Sequence, residues 1–161
     1  MSACVLPLAP EFQDPPSSAN IAPSFTDVVP PIGMIVDGTQ DHVPTFTVSV
    51  TDMNVGDDLH VRFLADFPPF TANTRTLMRD TPIAHRSDGR PILQDVSETP
   101  DCTLDSLAKI PQHQIMAIVA DRPFDDTAPP AGMTPDLTKL LDPEGMGKKT
   151  IATWTLNLEC P

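Results

Sequence analysis

Thr45–Phe63, TFTVSVTDMNVGDDLHVRF, is the stretch whose reading decides the fold. Phe46, Val48 and Val50 alternate with Thr45, Thr47, Ser49 and Thr51, and Leu59, Val61 and Phe63 alternate with His60 and Arg62. A period of two marks strands with one buried face. Asp52–Asp58 between them is polar, acidic and interrupted by Gly56, so it is a connection. It is longer than a two-residue hairpin turn. Its length suits an arch that carries the chain from one sheet to a facing one.

Composition narrows the classes. The chain has 161 residues, 40% of them hydrophobic, which suits one domain with a real core. Twenty prolines fit short strands and stiff loops better than long helices. Asp plus Glu outnumber Lys plus Arg by 22 to 10, a formal net charge of −12. Phosphate binding draws its affinity from Lys and Arg, so nucleic acid is excluded as a partner. The same charge disfavours direct contact with an anionic membrane surface.

Working outward, residues 1–31 read as a proline-rich tether and residues 32–161 as the domain. Ile32–Val36 is expected as the first strand, ended by Asp37-Gly38. Thr74–Arg79 and Pro91–Val96 follow as short strands around a Ser87-Asp88-Gly89 turn. Gln114–Ala120, nearly all apolar, predicts a central strand buried on both faces, and Thr150–Cys160 predicts the last. In that last strand Ala152, Trp154, Leu156, Leu158 and Cys160 face inward, and Thr153, Thr155, Asn157 and Glu159 face outward. One or two short helices are expected in the connections. Thr103–Lys109 has an N-cap and is stopped by Pro111; Thr134-Pro135-Asp136 starts a second, with Leu137, Leu140 and Leu141 on its apolar face.

The pattern predicts an all-β fold, an antiparallel sandwich. TFTVSVTDMNVGDDLHVRF, then a short helical turn, HQIMAIVAD and a closing strand together resemble the bacterial Ig-like and cadherin-like sandwich domains. The resemblance implies an Ig-like topology. The chain departs from true immunoglobulin domains in having no tyrosine for a tyrosine corner and in carrying Trp154 on its last strand.

Met1-Ser2-Ala3-Cys4 resembles the bacterial lipobox, in which small residues precede the cysteine to be acylated. CVLPLAPEF resembles the start of myxobacterial envelope lipoproteins. The resemblance implies lipidation at Cys4 and a place in the cell envelope, at the outer membrane, since Val5 stands where an aspartate would resemble an inner-membrane retention signal. It further implies that a signal peptide precedes Met1. Of the three cysteines, Cys102 and Cys160 remain to form a disulfide, the alternative being two separate buried thiols.

Few residues form a constellation that carries chemistry. Gly147-Lys148-Lys149-Thr150 ends like a phosphate-binding loop, but Asp142 occupies the place of its first glycine. His42, His60, His85 and His113 are scattered without metal-ligand spacing, predicting surface or loop histidines and no metal site. Asp52, Asn54, Asp57 and Asp58 lie in one connection, and Asp121, Asp125 and Asp126 in another that should share its end of the sandwich, as should the tether. Such a patch invites a basic protein partner first and calcium second, the alternative being turn-forming residues. These observations together predict a non-enzymatic, lipid-anchored envelope protein whose domain binds another protein. The rival readings are an enzyme's accessory domain acting through Asp121–Lys149 and a carbohydrate-binding domain using Phe67, Phe70 and Trp154.

Overall fold

A computed structural model describes residues 20–66, 75–102, 111–127, 136–143 and 145–159; the expected helix at Thr103–Lys109 lies outside them, as do Cys4 and Cys160. The fold is all-β, with eight strands: β1 Ser24–Val29, β2 Ile35–Thr39, β3 Phe46–Asp52, β4 Leu59–Ala65, β5 Arg75–Ile83, β6 Ile92–Glu98, β7 Gln112–Ala120 and β8 Lys149–Glu159. They form two sheets, a three-stranded one in the order β1-β3-β6 and a five-stranded one in the order β2-β8-β7-β4-β5.

The opening stretch does what its pattern predicts. Phe46, Val48 and Val50 point inward from one sheet, Leu59, Val61 and Phe63 from the other, all fully buried, and the 52–58 connection crosses between them. Trp154 fills the centre, its ring 5.1 Å from that of Phe46 and its Nε1 donating to Pro30 O at 2.6 Å. The outer face of the three-stranded sheet is polar. Thr47 Oγ1 meets Ser97 Oγ at 2.8 Å and Thr51 Oγ1 donates to Ile92 O at 2.6 Å, cross-strand contacts that knit β3 to β6.

Four expectations are corrected. The domain begins before residue 32, because β1 lies within the stretch read as tether and pairs with β3. The sandwich is not wholly antiparallel, since β2 runs parallel to β8. No helix follows Thr134 among the described residues. Asp136 closes a turn by accepting from Thr138 N and Oγ1, and Leu140 bridges to Phe124 in extended form. The reason is burial: Leu137 and Leu140 pack on the outer face of the five-stranded sheet, against Leu64, Met116, Ile118, Ala120 and Phe124, while Leu141 stays exposed. Finally, His113 is buried with Nδ1 2.9 Å from Asp66 Oδ2, and His60 pairs with Asp80 at 2.8 Å, so neither is a free surface histidine.

Candidate functional site

The acidic residues singled out in the sequence divide into three groups. Asp52, Asn54, Asp57 and Asp121 do meet at one end of the sandwich, where β3 finishes and β7 runs out. Asn20 plugs this end. Its Nδ2 donates to Asp121 Oδ2 at 2.6 Å and to Met146 O at 2.9 Å, and its Oδ1 accepts from Asn54 Nδ2 at 2.6 Å. Asp121 Oδ1 also accepts from Lys148 N at 2.7 Å. Arg122 lies 3.4 Å from Asp57 and donates to Asp121 O at 2.6 Å. Asn20, the first described residue, thus lies at the acidic end.

The other three residues sit elsewhere. Asp58 accepts from His85 N at 2.8 Å, and that contact, with the His85 ring, holds its carboxyl below the usual carboxylate range. Asp125 is tied to Lys139 at 2.7 Å and to the Thr127 hydroxyl, and these hold its carboxyl well below that range. Asp126 accepts from Arg62 Nη2 at 2.6 Å. The seven residues are not one patch. Their repulsion is met internally by amides, Arg and Lys, and among the described residues no three His, Cys, Asp or Glu are grouped to hold a metal ion. Among the described residues, no carboxylates are therefore arranged to hold calcium.

Two features escaped the sequence reading. Arg62 alternates with apolar residues and so reads as solvent-facing, yet it is fully buried. Its Nη1 donates to Leu137 O at 2.8 Å and its guanidinium carbon lies 4.2 Å from the Phe124 ring centroid. Arg62 thus ties the chain at Phe124–Asp126 and at Leu137 to the sheet. Asp52 is likewise almost fully buried; Oδ1 accepts from Asn54 N at 2.8 Å, but Oδ2 has no hydrogen-bond partner. Burial first, then the nearby Asp57 and Asp121 charges, push its carboxyl up from 3.8.

That makes Asp52 a net burden above acidic pH. A carboxyl raised on folding withdraws no stability below the unfolded value near 3.8, and withdraws more as pH rises through its folded value. An unsatisfied buried polar group costs about 1–3 kcal/mol. Asp52→Asn keeps an oxygen for Asn54 N and removes the charge. It should raise stability at pH 7 by removing the charge, with the gain shrinking towards pH 3.5, as read by urea denaturation at both pH values. A loss of stability at pH 7 would show that the carboxylate is needed.

The far end of the sandwich carries the open feature. Asp37, Gly38, Thr39, His42, Asn157 and Glu159 line a cleft of about 530 Å³ beside β2, the last strand of its sheet. Gly38 is one of these lining residues, and a Cβ there would stand 2.6 Å from Pro44 Cδ, so no larger residue fits without a shift. Asn157 Nδ2 donates to Asp37 Oδ1 at 2.8 Å, while the Glu159 side chain has no partner among the described residues. The sequence reading placed Glu159 outward and made Asp37 a strand end, but nothing local joins residues so far apart in the chain. The cysteine expectation belongs to this end too. Cys102, the described member of the expected pair, is half-buried against the main core, and Pro111 O accepts from Leu158 N at 3.0 Å, which ties the start of β7 to the end of β8. Compared with family models, curated proteins and solved structures, the chain gives no significant match.

Proposed function

We propose that the chain is a non-enzymatic, lipid-anchored protein of the cell envelope, held at the outer membrane through Cys4, with an Ig-like sandwich that serves as a protein-binding module. One observation carries this reading. The chain enters at the Asn20 end, whereas the open cleft and the unpaired edge of β2 lie at the other end, beyond β8. Eleven residues of β8 at about 3.3 Å each separate the two by about 35 Å. A domain tethered at one end thus presents its binding surface away from its anchor.

Two features support the Ig-like form. The first two strands are split between the sheets, and β3 to β4 and β6 to β7 each cross from one sheet to the other. The carbohydrate reading loses its main platform, because Trp154 is buried in the core; Phe67 and Phe70 lie outside the described residues. In the excursion, Asp121, Asp125 and Asp126 are all engaged in bonds that hold its own fold.

Two measurements test the placement. One acyl chain anchors only marginally, and the additional chains of a lipoprotein cysteine would make attachment stable. With its upstream sequence restored, the wild type should fractionate with the membrane and Cys4→Ser should be released; a variant that stays there unchanged removes the anchor. Non-reducing peptide mapping of the exported protein should yield a linked Cys102–Cys160 peptide. Recovery of both as free thiols would remove the oxidising compartment along with the bridge.

A further inference from the structure

We infer that β2 is a docking edge for an extended, basic segment of a partner protein, which adds as a sixth strand to the five-stranded sheet and places a Lys or Arg side chain in the cleft between Asp37 and Glu159. The inference rests on the binding-module reading and specifies its partner.

The backbone sets the geometry. Met34 O accepts from Thr155 N and Gln40 N donates to Glu159 O, both at the β8 side. In a parallel ladder alternate residues bond to a given neighbour, so Met34, Val36, Gly38 and Gln40 face β8. Ile35, Asp37 and Thr39 therefore turn their N–H and C=O groups to the open side. Thr39 is already closed off by its reciprocal bonds with His42, at 3.3 and 3.0 Å. Ile35 and Asp37 remain, with no backbone partner on that side among the described residues. Such a row is a template for strand addition.

Side chains select the occupant. Ile32, Met34 and Ile35 are each about half exposed or more, at 55%, 48% and 61%, along the approach to this edge. At its other end the chemistry turns acidic. Asp37 and Glu159 flank the cleft, with Thr39 and His42 on the rim. An incoming strand of alternating character would set apolar side chains on the face of Met34 and cations on the opposite face, against Asp37 and Glu159. A second copy of this chain fits poorly, since it carries the same charge of −12 and would bring Asp37 and Glu159 against further acid. Charge complementarity favours a basic partner.

The test uses a fluorescent synthetic peptide of alternating Lys and Val, titrated into the domain at physiological salt and followed by anisotropy. Saturable binding is expected, with the Glu/Val counterpart inert. Asp37→Asn/Glu159→Gln should weaken it about tenfold or more. Asp27→Asn/Asp95→Asn, on the other sheet, removes the same charge and should leave binding unchanged. Ile35→Pro deletes an outward N–H that β8 does not use, and should abolish binding while the far-UV spectrum is retained. Should that variant unfold, a peptide N-methylated at alternate residues tests the same hydrogen bonds on the unaltered protein and should bind about tenfold more weakly. The inference is overturned by absence of saturable binding, by equal loss in both charge variants, by full binding of the N-methylated peptide, or by a dimer in sedimentation that excludes the peptide. None of these outcomes touches the membrane release expected of Cys4→Ser, so the two readings fail separately.

Discussion

Trp154→Ala should lower stability by about 3–5 kcal/mol, the largest loss expected from any single core substitution here. The side chain is 1% exposed, fills the space between the sheets against Phe46, and is the only tryptophan in the chain. Truncation removes more apolar volume than the surrounding strands can refill, and it also strands the carbonyl of Pro30 without its indole donor. Domains of this size are stable by about 5–15 kcal/mol, so the variant should sit near its unfolding threshold at 37 °C. Trp154→Phe separates the contributions, keeping most of the volume and losing the hydrogen bond, and should cost about 1–2 kcal/mol. Chemical denaturation must be followed by far-UV circular dichroism, since the fluorescent reporter is itself removed. Equal losses in the two variants would mean that the Pro30 bond, and not packing, dominates.

The second large effect concerns Arg62 and carries an order of severity. Asp126→Ala leaves a guanidinium, 1% exposed, without its carboxylate, and Nε already has no partner. Breaking a buried pair from that side costs about 3–5 kcal/mol; because Asp126 is 58% exposed, water moderates this to about 2–3 kcal/mol. Arg62→Met removes the charge and keeps much of the volume against Phe124, leaving Asp126 to be solvated and only Leu137 O unpaired. It should cost about 1 kcal/mol. Hydrogen exchange should show where the loss falls, with residues 121–127 and 136–141 opening before β7 and β8. The reverse order, Met worse than Ala, would show that Arg62 stabilises through packing and its Leu137 bond rather than through Asp126.

Much of the sandwich was legible because one side of each central strand faces a dry interior. Phe46, Val48 and Val50, or Trp154, Leu156 and Leu158, keep their period because the core enforces it. β1 was not legible for the converse reason. Its register with β3 shifts between Phe25 and Asp27, which breaks the alternation, and its residues are at most partly buried. The expected helix after Thr134 failed because capping signals are local, whereas the leucines answered to an apolar sheet face far away in sequence. Arg62 misled for the same reason, as an outward position became an interior one when the excursion folded over it. At the acidic end, Asp52 and Asp121 were foreseeable from shared strand ends. Asn20 and Arg122, which close it, had no signal, and the cleft joins Asp37 to Glu159 only through a parallel pairing that period alone cannot reveal.

The route of the chain has a mechanical consequence. From Asn20, β1 runs along β3 away from the point of entry, through five register pairs from Ser24↔Thr51 to Val29↔Thr47. Were the start anchored and a partner held at the far cleft, as proposed, tension would act along these strands. The bonds between β1 and β3 are then sheared together; a pull at right angles would unzip them singly. Rupture under force follows the rate of crossing the unfolding barrier, and shear keeps that barrier high. Under tension, the grip on the partner is expected to release before the sandwich opens, and the domain survives to bind again.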